Sequence, residues 1–243
     1  MPIAVRIRQR NARQRRRRPP RPSRRKRSPR RSRDYPRPSV RAMSGRYIAF
    51  EGVEGCGKST HVKRLAAHLD ALVTREPGGT DVGAVLRGLM ADPANTHLDA
   101  RAEALLMAAD RAQHLRELVV PTLQSGRHVV SDRSVYSSLA YQGFGRGLDV
   151  DTLRRFNDFA IASRWPDLVV YIRVDLAAVR KRLQKRDTDR FEREDDEFFT
   201  RVIQGFDQLA EQEPQRWLVV DGTPPKEELE LTIRHAVVQR LGK

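Results

Sequence analysis

The chain has 243 residues and a formal net charge of +16, enough for one sizeable α/β domain plus an appendage. The charge is uneven: residues 1–42 hold 18 of the 47 Lys and Arg against one acid, Asp34, which leaves 29 basic and 30 acidic residues and a net −1 in the body. Cys56 is the only cysteine, which excludes an intrachain disulfide and a cysteine-based metal cluster, and there is no apolar run of about 18 residues to span a membrane.

Residues 1–42, with their arginine clusters at 15–18 and 24–27 and seven prolines, cannot bury enough apolar surface to offset chain entropy and are expected to be disordered. Three readings stand for this tail. It binds nucleic acid or another polyanion by neutralising phosphates; it is a transit-type leader, although its prolines break any amphipathic helix; or its start codon is assigned upstream of Met43. The body then alternates apolar runs with helical periodicity. Tyr47-Ile48-Ala49-Phe50 reads as a buried strand, and Val62, Leu65, Ala66 and Leu69 fall on one helix face. Leu72-Val73-Thr74 is a second strand. A long helical stretch follows from Asp99, as N-cap, to Gln124, with Gly126 where a helix-ending glycine is expected. His128-Val129-Val130-Ser131 and Leu168-Val169-Val170-Tyr171-Ile172 are the third and fourth strands. Asp175 caps a helix carrying Leu176, Val179 and Leu183, the charged stretch from Lys185 to Asp196 reads as a mobile surface loop, and Trp217-Leu218-Val219-Val220 precedes a closing helix from Lys226 to Leu241. Five apolar strands separated by helices predict an α/β fold with a five-stranded parallel sheet covered on both faces.

Gly52-Val53-Glu54-Gly55-Cys56-Gly57-Lys58-Ser59 fits G-x-x-x-x-G-K-[ST], between a predicted strand and a predicted helix. Glycines there let the backbone wrap a phosphate, and the N–H groups at the helix start point at the anion. Gly52, Val53, Glu54, Gly55, Cys56, Gly57, Lys58, Ser59 and Thr60 are therefore the ATP-binding candidates, with Lys58 on the β- and γ-phosphates and the Ser59 hydroxyl on Mg²⁺. Cys56 reads as a small residue in a tight loop. Arg75, after the second strand, and Arg133, after the third, stand at matching strand ends, where open α/β sheets bind ligands, and suit a second phosphate. Asp132 ends its strand as a Mg²⁺-orienting acid does.

These motifs, together with Thr74-Arg75-Glu76-Pro77-Gly78-Gly79-Thr80, Ala108-Ala109-Asp110-Arg111-Ala112-Gln113-His114, Ala140-Tyr141-Gln142-Gly143, Gly145-Arg146-Gly147 and Asp189-Arg190-Phe191-Glu192, make residues 46–241 resemble a bacterial thymidylate kinase. The resemblance implies a P-loop three-layer fold at 43–243 with a small lid at about 185–196, transfer of the ATP γ-phosphoryl to dTMP with Mg²⁺, a homodimer and a cytoplasmic setting. It implies that Glu54 meets the deoxyribose 3′-hydroxyl and that Arg75 and Arg133 clamp the dTMP phosphate. Arg111 falls in the base and phosphate region, and Gln142 meets the base. Lys58 and Arg133 are the catalytic candidates, with Arg186 or Arg190 as a lid arginine on the moving phosphoryl. Met107 stands where the family usually has a phenylalanine that stacks on thymine, and a polarizable thioether can still cover a ring face. Two rivals remain: a kinase for another pyrimidine nucleoside monophosphate, and nucleic-acid binding through the tail.

Overall fold

The computed structural model describes residues 45–183 and 190–242, with the backbone alone at 182 and 183. Residues 1–42 and the lid residues Lys185 and Arg186 lie outside the described residues. Five strands form one sheet: β1 (Tyr47–Glu51), β2 (Leu72–Arg75), β3 (Val129–Asp132), β4 (Leu168–Arg173) and β5 (Trp217–Asp221), in the order β2-β3-β1-β4-β5. Every pairing is parallel, with Tyr47 opposite Val129 and Ile48 opposite Leu168. All five residues of β1 are buried, whereas the edge strands β2 and β5 alternate with exposed positions. Central strands of a parallel sheet are covered on both faces and read as continuous apolar runs, which is why β1, β3 and β4 were legible.

The helices are α1 (Lys58–Leu69), α2 (Asp81–Ala91), α3 (Ala100–His114), α4 (Val120–Gln124), α5 (Val135–Ser138), α6 (Val150–Ala160), α7 (Leu176–Leu183), α8 (Asp196–Gln212) and α9 (Lys226–Leu241). α1 packs on β1, β2 and β3, α9 on β5 and α1, and α8 on β5. The expected stretch from Asp99 to Gln124 is one path in three pieces: α3, capped by Asp99 accepting from Arg101 N–H, a π-helical turn Leu115–Val119, and α4. Pro121 lacks the N–H that would continue a regular ladder across this junction. A second π-helical turn, Leu139–Gly145, follows α5 and packs along α8.

A parallel sheet brings the carboxyl ends of β1, β2 and β3 to one edge. The phosphate loop leaves β1, Arg75 ends β2, and Asp132 ends β3 with Arg133 immediately after it. The register pairs Arg75 with Asp132 and Phe50 with Asp132, so the three loops open side by side.

Candidate active site

These loops, with α3 and the Leu139–Gly145 turn, enclose a cleft of about 300 Å³. Its walls include Glu54, Gly55, Lys58, Ser59, Arg75, Met107, Arg111, Asp132, Arg133 and Gln142, all among the sequence-derived candidates, together with Phe191 and Glu192. Gly57 takes φ 106° as the cap of α1, a conformation in which an L side chain is strained. It turns the chain so that the first N–H groups of α1 face the cleft side of the loop. Lys58 folds back over this loop, Nζ donating to the carbonyls of Gly52 at 3.0 Å and Val53 at 2.9 Å. Cys56 is buried beneath it, consistent with a packing role.

The Ser59 hydroxyl donates to the Asp132 carboxylate. Two hard oxygen donors, one from the start of α1 and one from the end of β3, thus stand together beside the phosphate loop. Among the described residues no group of three or more His, Cys, Asp or Glu is arranged to hold a metal. Mg²⁺ commonly takes only one or two protein oxygens and completes its shell with phosphates and water, so Ser59 and Asp132 fit that ion.

Arg133 adopts φ 74°, costly for a residue with a side chain. In return its guanidinium lies between Glu54 (2.6 Å), Ser137 Oγ (3.0 Å), the Gly52 carbonyl (3.1 Å) and the Tyr141 hydroxyl (3.2 Å). Burial works against its charge, but Tyr141, Glu54 and Glu51 outweigh burial and hold its pKa well above the ordinary value. Tyr141 also donates to Glu54 at 2.5 Å; burial first, and Glu54 next to it, push the phenol upward. Behind them Glu51 accepts from Ser134 Oγ (2.7 Å) and Ser137 Oγ (2.6 Å), and its burial raises its pKa.

Arg111 is 2% exposed. Its Nε donates to Glu76 at 2.7 Å, and the other nitrogens reach Ser138 Oγ, the Ser134 carbonyl and Asn157. Glu76 also accepts from His114 Nδ1, while His114 Nε2 meets Thr74 Oγ1 at 2.7 Å. This buried chain of polar groups holds the Thr74–Thr80 loop against α3. Arg75, in contrast, is exposed, with Nε to the Gly78 carbonyl at 3.4 Å. Arg190 is buried and does not line the cleft: Nε donates to the Met90 carbonyl at 2.7 Å and Nη2 to Glu103. Gly52, Val53, Cys56, Gly57 and Thr60 shape the loop rather than its open wall.

A strand-borne phosphate loop and arginines at neighbouring strand ends thus open onto one cleft that Met107 and Gln142 also line. The model of the thymidylate kinase family matches residues 50–233. The chain belongs to the thymidylate kinase family. It is 43% identical over 204 residues to the thymidylate kinase of Halothermothrix orenii, covering 80% of this chain and 97% of that protein. It is 40% identical over 195 residues to that of Geobacillus sp., covering 77% and 93%, and 43% over 183 residues to that of Staphylococcus haemolyticus, covering 73% and 89%. The family match begins after the arginine-rich tail.

Sequence reasoning left out five polar groups that matter here: Glu51, Ser137, Ser138, Tyr141 as a partner of Arg133, and Glu103. Tyr141 carried a signal, standing beside Gln142 in the Y-Q-G run. Glu51 opens the phosphate-loop run and Ser137 stands one turn beyond Arg133, whereas the partners of Ser138 and Glu103 are distant in the chain.

Proposed function

We propose that this member of the thymidylate kinase family works as an ATP-dependent dTMP kinase through the cleft, producing dTDP for dTTP synthesis. The observation that carries the reading is the convergence of Lys58, Arg133 and Arg75 on one edge of the sheet beside a wall built from Met107 and Gln142. ATP lies along residues 52–60, its phosphates on the loop N–H groups and Lys58. dTMP lies across the cleft, with its phosphate held by Arg75 and Arg133, its 3′-hydroxyl by Glu54, and its base by Gln142, Met107 and the Arg111 region. The acceptor phosphate is already largely ionised, so positioning and charge neutralisation carry the rate. Ser59 and Asp132 hold Mg²⁺, which when bound offsets the charge of the β- and γ-phosphates.

Of the two lid arginines, Arg190 is committed to Glu103 and the Met90 carbonyl. That commitment supports Arg186 for the moving phosphoryl and Arg190 for holding the lid base against α2 and α3. A homodimer is supported by an apolar stripe on α2, where Val82, Val85 and Leu89 are exposed, and by exposed Leu105 on α3 and Phe159 on α6. α3 packs on both α2 and α6. A cytoplasmic setting is supported by the single buried cysteine, and among the described residues no helix is long and apolar enough to cross a membrane.

The test is coupled-assay turnover of ATP with dTMP, in the full chain and in a chain beginning at Met43. Equal, dTMP-dependent turnover in both is expected. No dTMP-dependent turnover in folded protein with Mg²⁺ present overturns the reading, and turnover lost only in the shorter chain assigns the tail a part in the reaction.

A further inference from the structure

Glu103, in the first turn of α3, is a buried carboxylate that forms no part of the cleft wall. Its side chain is 1% exposed and gathers donors from three directions. Gln142 Nε2 donates to Oε1 at 2.8 Å, Arg146 approaches with Nε at 3.5 Å and Nη2 at 3.4 Å, and Arg190 Nη2 donates to Oε2. Both arginines are anchored a second time, Arg190 on the Met90 carbonyl and Arg146 on Glu194 at 2.6 Å. The carboxylate therefore has little freedom to turn.

A carboxylate offers only acceptors, whereas a glutamine amide carries a donor end and an acceptor end. Gln142 must direct its NH₂ group at Glu103, which leaves the carbonyl oxygen Oε1 for a ligand in the cleft that Gln142 lines. An acceptor there pairs with the N3–H of thymine or uracil and opposes the N3 of cytosine, itself an acceptor. We propose that Glu103 is a positioning residue that sets the direction of the Gln142 amide, and through it the preference for a pyrimidine monophosphate bearing hydrogen at N3. The inference rests on the dTMP-kinase reading and on Gln142 facing the base.

The test compares kcat/KM for dTMP and dCMP, with ATP as donor, in the full chain and in the variants E103Q, E103D, Q142A and E103Q/Q142A, with melting curves to verify folding. The amide that E103Q introduces can accept or donate, so the Gln142 amide is released to turn. The dTMP-to-dCMP ratio should fall about tenfold, the size of one redirected hydrogen bond, chiefly through KM for dTMP and with KM for ATP unchanged. In the Q142A background E103Q should change the ratio no further, since the two act as one unit. A residue that merely holds the fold together would depress both substrates alike and add to Q142A.

E103D keeps the charge facing Arg146 and Arg190 while withdrawing from Gln142, and it decides the matter if E103Q does not fold. An unchanged ratio in E103Q, or in E103D where E103Q is unfolded, overturns the proposal. So does a full E103Q effect in the Q142A background, or a wild type with no preference for dTMP over dCMP. A folded wild type that does not use dTMP overturns the underlying kinase reading instead.

Discussion

Asp132 and Ser59 are 73 positions apart and share a hydrogen bond only because β3 lies beside β1. If this pair holds Mg²⁺, Asp132→Asn removes its single negative charge without changing shape. Turnover should then fall about 10–100-fold at fixed Mg²⁺, with partial recovery on Mg²⁺ titration and an unchanged melting temperature. Glu76 illustrates the opposite kind of buried acid. Burial alone would raise its pKa, but Arg111 and His114 outweigh burial and hold it below the ordinary 4.5. A depressed folded pKa means that Glu76 stabilises the fold fully above 4.5, and that this stabilisation is lost as pH falls through the lower folded value. Glu51 and Asp110, raised by burial, act in the reverse sense, favouring the fold less as pH rises through their ordinary range. Glu76→Gln leaves Arg111 buried without its ion pair and should cost about 3–5 kcal/mol near neutral pH. Urea unfolding checks this, and the acid limb of the stability profile should flatten in the variant.

Gly145 shows how an element can be placed by one small side chain. A Cβ there would stand 2.6 Å from the Phe198 ring of α8, so the π-helical turn bearing Gln142 can approach α8 only without one. Gly145→Ala should destabilise by about 1–3 kcal/mol, read as a lower melting temperature, and should weaken dTMP binding through the displaced turn. The other glycines of this run have different causes: a Cβ at Gly143 would crowd Val150 and Leu153 of α6 at 3.1 and 3.2 Å, whereas Gly147 stands in open space and takes φ 77°. Element legibility followed local pattern and not burial: the partly exposed edge strands β2 and β5 are as legible as the buried β1 and β4, and α1, α7 and α9 show their spacing or caps. α2 was missed because Gly83 and Gly88 argue against a helix; Gly83 is required where a Cβ would meet Asp110 Oδ1 at 2.3 Å. α8 was missed although Phe198, Val202, Phe206 and Leu209 share one buried face. It begins directly after the charged stretch, with Asp195 accepting from Phe198 N–H, and a run of charge with little apolar content has the pattern of a loop.

At the scale of the whole molecule, the body is nearly neutral while the arginine-rich tail carries the net charge, so the cleft's affinity for phosphates comes from local convergence and not from overall basicity. The apolar stripe on α2 makes a prediction at this scale. Val85 is 74% exposed and Phe159 89%, unusual positions for large apolar side chains unless another surface covers them. Val85→Asp would leave an unpaired charge in the proposed interface and should raise the dimer dissociation constant at least about a hundredfold. Sedimentation across a concentration series checks this, and a wild type that stays monomeric at high concentration removes the dimer.

By itself the sequence determined the order and type of the central elements, the phosphate loop and the strand-end positions of Arg75, Asp132 and Arg133. Apolar periodicity, glycine spacing and strand ends are local properties that need no knowledge of partners. Only the tertiary structure decided that Arg133 sits between Glu54 and Tyr141, that Arg111 is spent on Glu76 and Asn157, and that Arg190 turns to Glu103 and away from the cleft. A charged side chain satisfies itself with whichever opposite group the fold brings nearest. In a parallel sheet those neighbours arrive from crossovers dozens of residues away, and local sequence carries no trace of them.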